Sequence, residues 1–208
     1  MGVSNILMSS YWGHEVRHKH ITQGSKVLAV LFPGKNYSAE RSLLDYATKA
    51  AREYKCDILI LEYGYQSARA ELKREEIGIV VEECKSAVGQ LTSYEQFLFI
   101  SKSMGTTIAG RVAEELGIQE RTSHMYLTPL ADTIPYIQRS RGSVIYGSND
   151  PLFGESHSQE IGGLPGLRVY RIDDANHALE VDSVSESVAI LIVIINIYHE
   201  FLLSALQA

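Results

Sequence analysis

From Lys26 to Gly34 the chain runs KVLAVLFPG, a nearly continuous apolar stretch closed by Pro-Gly. A run this short and this apolar, bounded by turn residues, fits a strand buried on both faces, as in a parallel sheet. Similar runs recur at CDILILEYG (from Cys56), QFLFIS (Gln96 to Ser101), HMYLTP (from His124), SVIYGSND (from Ser143) and LRVYRIDD (from Leu167). Between them lie stretches of helical period. One runs from Ser38, a candidate N-cap, through Leu43, Leu44, Ala47 and Ala51 to about Tyr54. A second spans Glu71 to about Leu91. A third runs from about Thr106 to Leu116 and stops at Gly117, a residue suited to a helix C-cap. The last extends from about Ser183 to Ala205 and is apolar over most of its circumference, which predicts a largely buried helix.

Strands alternating with helices predict βαβ units, right-handed crossovers and an α/β three-layer sandwich, a mostly parallel sheet with helices on both faces. The opening residues 1–25 differ, with period-2 stretches such as VRHKHIT, and predict an antiparallel hairpin at a sheet edge. No internal repeat and no Pro/Gly/Ser linker divides the chain, so 1–208 reads as one domain.

The 208 residues carry a formal charge of −6, with pI near 5.6 and no Lys/Arg-rich block. Nucleic-acid binding normally needs a concentrated positive field, so the balance favours a small-molecule partner. Cys56 and Cys84 make neither a disulfide framework nor a metal-type pair, and read as half-buried thiols of a reducing compartment. The N-terminus lacks a basic n-region and a long apolar h-region, and the run Ala189–Tyr198 is too short to span a bilayer. A cytoplasmic protein without membrane attachment is expected, and a homodimer through the apolar last helix is open.

In open sheets of this kind reactive groups gather at the carboxyl ends of the strands. Ser103, in Ser101-Lys102-Ser103-Met104-Gly105, follows one buried strand directly and precedes a helix. A hydroxyl on such a tight turn projects out of the sheet, and small residues two before and two after let the backbones approach. The plain alternative is a serine that caps the helix. A serine nucleophile needs a base, and of seven histidines only His177 follows a late strand at the correct end of the sheet. The imidazole in turn needs a carboxylate behind it. Asp150, ending VIYGSND before Pro151, suits that role; Asp173, Asp174 and Glu180 compete for it from His177's own loop.

The order Ser103, Asp150, His177, with the stretches LFPGKNYS, SKSMG, YGSNDPLF and DDANHALE, resembles the α/β-hydrolase superfamily from about Lys26 onward. The resemblance implies a serine hydrolase that cleaves a carboxylic ester or related acyl bond of a small-molecule substrate, without a cofactor or metal. It also implies an oxyanion hole from the backbone N–H groups of Met104 and Lys35. Family members often carry His-Gly where this chain has Pro33-Gly34, and a glycine where it has Ser101. About fourteen residues separate Thr128 from Ser143, where many relatives insert a helical cap. A lid will not fit there, and an open, shallow pocket walled by Tyr37, Tyr63, Tyr65 and Leu152 is expected.

Three other readings compete. A thioesterase or peptidase would use the same machinery. A non-catalytic binding protein on the same fold would have no need of an intact triad. Finally, His14-Glu15-Val16-Arg17-His18 spells a zincin pattern, which requires a helix. The alternation of Val16, His18 and His20 looks instead like a strand face.

Overall fold

A computed structural model describes residues 1–207. Eight strands form one sheet: β1 (Gly2–Ser9), β2 (Glu15–Thr22), β3 (Val27–Phe32), β4 (Asp57–Ile60), β5 (Gln96–Lys102), β6 (Thr122–Leu127), β7 (Arg141–Gly147) and β8 (Leu167–Ile172). Their spatial order is β1-β2-β4-β3-β5-β6-β7-β8. From β4 to β8 every pairing is parallel. The sheet reverses direction at β2, which runs antiparallel to β4, and β1 pairs antiparallel with β2 along its whole length. The N-terminal hairpin is therefore one edge of the sheet.

Helices cover both faces, because strands buried on two sides must be packed on two sides. On one face α1 (Ser42–Glu53) and α7 (Val184–Leu206) cover a core containing Ala29, Leu31, Leu98, Ile100, Met125 and Ile145. On the other, α3 (Ile77–Gly89) and α4 (Met104–Glu115) cover Leu28, Val30, Phe32, Phe97 and Phe99. The short α5 (Ile134–Ile137) and α6 (Glu155–Ile161) close a smaller core around Tyr126, Val144 and Tyr146. Between β6 and β7 the chain holds only a 3-10 turn and α5, so no cap stands over the strand ends.

Four features differ from the sequence reading. α1 starts four residues after Ser38, because the Tyr37 hydroxyl, not Ser38, accepts from the Leu43 N–H. The second helical stretch opens with a 3-10 turn at Arg74–Glu76 before α3, and a separate short helix that the sequence reading lacked, α2 (Gly64–Ser67), precedes it. Both cysteines are fully buried. The last helix is 23 residues long with a hydropathy of 2.0 over its most apolar window, so it is long and apolar enough to cross a membrane, unlike the ten-residue run read from the sequence. It is buried along one side only. Ile194, Ile197, Phe201 and Leu202 pack on the sheet, while Val184, Val188, Ile192 and Val193 face outward.

Candidate active site

β5 hands directly to α4 at Ser103, whose backbone takes φ 53° and ψ −123°. A non-glycine residue at positive φ is strained and persists only where its surroundings impose it. Here the Ser103 N–H donates to the Leu127 carbonyl (2.9 Å), and its carbonyl accepts from Thr106 (2.9 Å). A Cβ on Gly105 would stand 2.4 Å from the Pro33 oxygen and 2.5 Å from the Phe32 oxygen, so only glycine lets the helix pass so close to β3. Ser101 is tolerated two residues before Ser103 because its hydroxyl is buried and donates to the Met125 carbonyl (3.2 Å). The Ser103 side chain makes no helix-capping bond.

It meets His177 instead. Ser103 Oγ and His177 Nε2 are 2.8 Å apart, and His177 Nδ1 lies 2.8 Å from Asp150 Oδ2. The other Asp150 oxygen accepts from the Leu152 N–H (2.8 Å), so both carboxylate oxygens are engaged in a side chain with no exposed surface. A buried carboxylate that accepts at one ring nitrogen fixes the tautomer that leaves the other free to take a proton. Of its rivals, Asp173 is solvent-exposed against Arg171, while Asp174 and Glu180 are exposed.

The loop after β3 supplies the facing wall. Its three successive carbonyls are held from one side: Tyr63 Oη donates to Pro33 O (2.8 Å), Gln66 Nε2 to Gly34 O (2.9 Å), and Tyr65 Oη to Lys35 O (2.7 Å). Gln66 also reaches Lys35 O at 3.0 Å. Among the described residues the Lys35 N–H donates to no protein acceptor. The Met104 N–H belongs to the first turn of α4, where backbone donors have no intrahelical partner. The loop itself closes through Gly34 N–H to Tyr37 O at 2.9 Å.

Two expected pocket walls are therefore structural. Tyr63 and Tyr65 are buried, and their hydroxyls are spent on the loop; burial also pushes both phenols well up in pKa. Tyr37 is half-buried with its hydroxyl turned to α1, and Leu152 is exposed beside Asp150. His177 is about a quarter exposed, so the Ser103–His177 pair opens to solvent. The His14–His18 stretch is no helix. In an extended strand residues four apart are separated by roughly 13 Å, and His18, on β2, accepts from the Glu62 N–H through Nδ1 (3.2 Å). Sequence reasoning did not single out Gln66 or Lys102.

No protein-family model and no curated protein matches the chain. Solved structures do. An alpha-beta serine hydrolase homologue from Coxiella burnetii superposes with TM-score 0.71 at 12% identity, covering 96% of this chain and 97% of that one. A serine hydrolase without lid from Xanthomonas campestris gives 0.70 at 14% identity, with 96% and 93% covered. A Pyrococcus furiosus esterase gives 0.69 at 13%, with 97% and 92% covered. The chain has the fold of a lidless α/β-hydrolase.

Proposed function

We propose that this α/β-hydrolase-fold chain is a serine hydrolase that cleaves a carboxylic ester or a related acyl bond of a small molecule. The reading is carried by one observation: an unbroken relay from the Ser103 hydroxyl through both nitrogens of His177 to the buried carboxylate of Asp150. The similarity in fold to proteins described as serine hydrolases and an esterase supports it.

Ser103 Oγ attacks the acyl carbon as its proton passes to His177 Nε2. Asp150 holds the imidazole and stabilises the imidazolium. The carbonyl oxygen becomes an oxyanion, received by the N–H groups of Met104 and Lys35; one such donor is typically worth on the order of 10²–10³ in turnover. The N-terminal end of α4 adds its positive potential there. His177 then gives the proton to the leaving oxygen, and the C–O bond breaks to leave an acyl-Ser103 ester. Water repeats the cycle, losing a proton to His177, and releases the acid. Every group in the scheme comes from the chain and from water.

The test is active-site labelling with a fluorophosphonate on wild type and Ser103→Ala. Labelling of the wild type alone is expected. Equal labelling of both proteins, or of neither, removes the serine mechanism. Turnover of ester, thioester and peptide panels by the wild type then separates an esterase from a thioesterase or peptidase.

A further inference from the structure

Lys102 stands immediately before Ser103 and is buried. Lysine is among the residues least often found inside a protein, and a buried ammonium is costly unless its donors are satisfied. Its partners are not an ion pair. Nζ donates to the Thr128 hydroxyl and to the backbone carbonyl of His177 (2.8 Å), and it lies 5.4 Å from the centre of the Tyr37 ring. Asp150, the carboxylate whose field reaches it most strongly, spends its oxygens on His177 and Leu152.

One side chain therefore joins three parts of the site. It ends the strand that leads into Ser103, it grips the residue just after β6, and it holds the loop that carries His177. Thr128 is itself at φ 43°, an outlier for a β-branched residue. Elsewhere in the His177 loop, Ala175 and Glu180 accept from backbone N–H groups, while the His177 carbonyl takes the lysine. We propose that Lys102 is a positioning residue: its ammonium clamps the His177 carbonyl so that Nε2 stays within hydrogen-bonding reach of Ser103. The inference rests on reading Ser103 and His177 as nucleophile and base.

The clamp depends on charge, because a charged donor makes a bond roughly twice as strong as a neutral one. Burial pushes the Lys102 ammonium down to about 8, against the opposing pull of Asp150 and Glu180. The groups facing it are Tyr37 from the loop after β3, Thr128 from the loop after β6, Asp150 from the loop after β7, and His177 and Glu180 from the loop after β8.

The experiment is the second-order rate of fluorophosphonate labelling from pH 6.5 to 9.5 for wild type, Lys102→Met and Ser103→Ala, with circular dichroism at each pH to restrict the comparison to folded protein. The wild type should label at Ser103, with a rate that falls several-fold above about pH 8. Lys102→Met should label at least tenfold more slowly at pH 7.5 and lack the alkaline fall. Equal rates and profiles in wild type and Lys102→Met overturn the clamp and leave the hydrolase reading standing. A slower variant that keeps the alkaline fall also overturns it, since another group would then titrate. Should Lys102→Met fail to fold, the wild type decides, and a rate still level at pH 9.5 overturns the clamp. A wild type that does not label at all removes both readings.

Discussion

Gly147 ends β7 directly against the backbone of Ala175: a Cβ on Gly147 would lie 2.1 Å from the Ala175 oxygen. The contact sets the separation between the two loops that bring Asp150 and His177 together, and the Asn149 N–H to Ala175 O bond (2.9 Å) closes it. Gly147→Ala must push these loops apart. Overpacking of this kind typically costs about 1–3 kcal/mol. Denaturant unfolding should show that loss, and ester turnover should fall further than stability alone explains. A variant with wild-type turnover would show that the loops tolerate separation.

Asp150→Asn keeps the shape of the site and removes the charge facing His177 Nδ1. Without a carboxylate the ring is free to adopt the tautomer that points a proton at Ser103. Ester turnover should drop by roughly 10³–10⁴-fold, by analogy with the serine-protease triad, with little change in Tm. Steady-state kinetics on one activated ester, beside a melting curve, checks both halves.

Gln66→Ala removes the donor shared by the Gly34 and Lys35 carbonyls. If the loop presents its Lys35 N–H to an oxyanion, loosening it weakens an interaction made mainly in the transition state. The expectation is a fall in kcat of about 10–10²-fold with KM within a few-fold of wild type. A change in KM alone would assign Gln66 to substrate binding.

Acid should destabilise the protein through two histidines remote from the proposed chemistry. Burial pushes His18 down to about 4, against the pull of Glu62, and His124 down to about 3. In the unfolded chain both take up a proton near 6.5. Their contribution to stability is complete above that value and is lost as pH falls toward the native values, because the unfolded state then binds protons that the native state refuses. At about 1.4 kcal/mol per pH unit for each group, the two together remove roughly 4 kcal/mol by pH 5. Among the described residues His124 Nδ1 has no hydrogen-bond partner, and the ring stacks on Tyr126 with centroids 4.9 Å apart. His124→Phe should keep that stack and recover about half of the acid loss in urea titrations at pH 7 and 5. An unchanged slope would place the sensitivity elsewhere.

The strand runs and the order Ser103, Asp150, His177 were legible because they are local signals: apolar stretches, a turn pentapeptide and polar residues ending strands. What escaped depends on partners far along the chain. Tyr63, Tyr65 and Gln66 act on carbonyls some thirty residues earlier, and no periodicity marks a side chain that bonds a distant backbone. Lys102 reads as a surface residue by type and is buried only because β5 is central. The last helix misled in the opposite direction. Composition reports that its residues are apolar, but the sheet is wide enough to cover only one side of it.

The tip of the N-terminal hairpin leans on α3, where the Tyr11 N–H donates to Glu83 Oε1 (2.9 Å), and on the short α2 beside the loop after β3, where a Cβ on Gly64 would collide with the Ser10 side chain. Trp12, the chain's single tryptophan, meets the Tyr65 ring edge-on with centroids 5.9 Å apart. Nature has thereby placed an optical gauge one aromatic ring away from the Lys35 carbonyl. Indole emission, free of any competing tryptophan, can follow how that neighbourhood responds when an acyl group arrives on the serine.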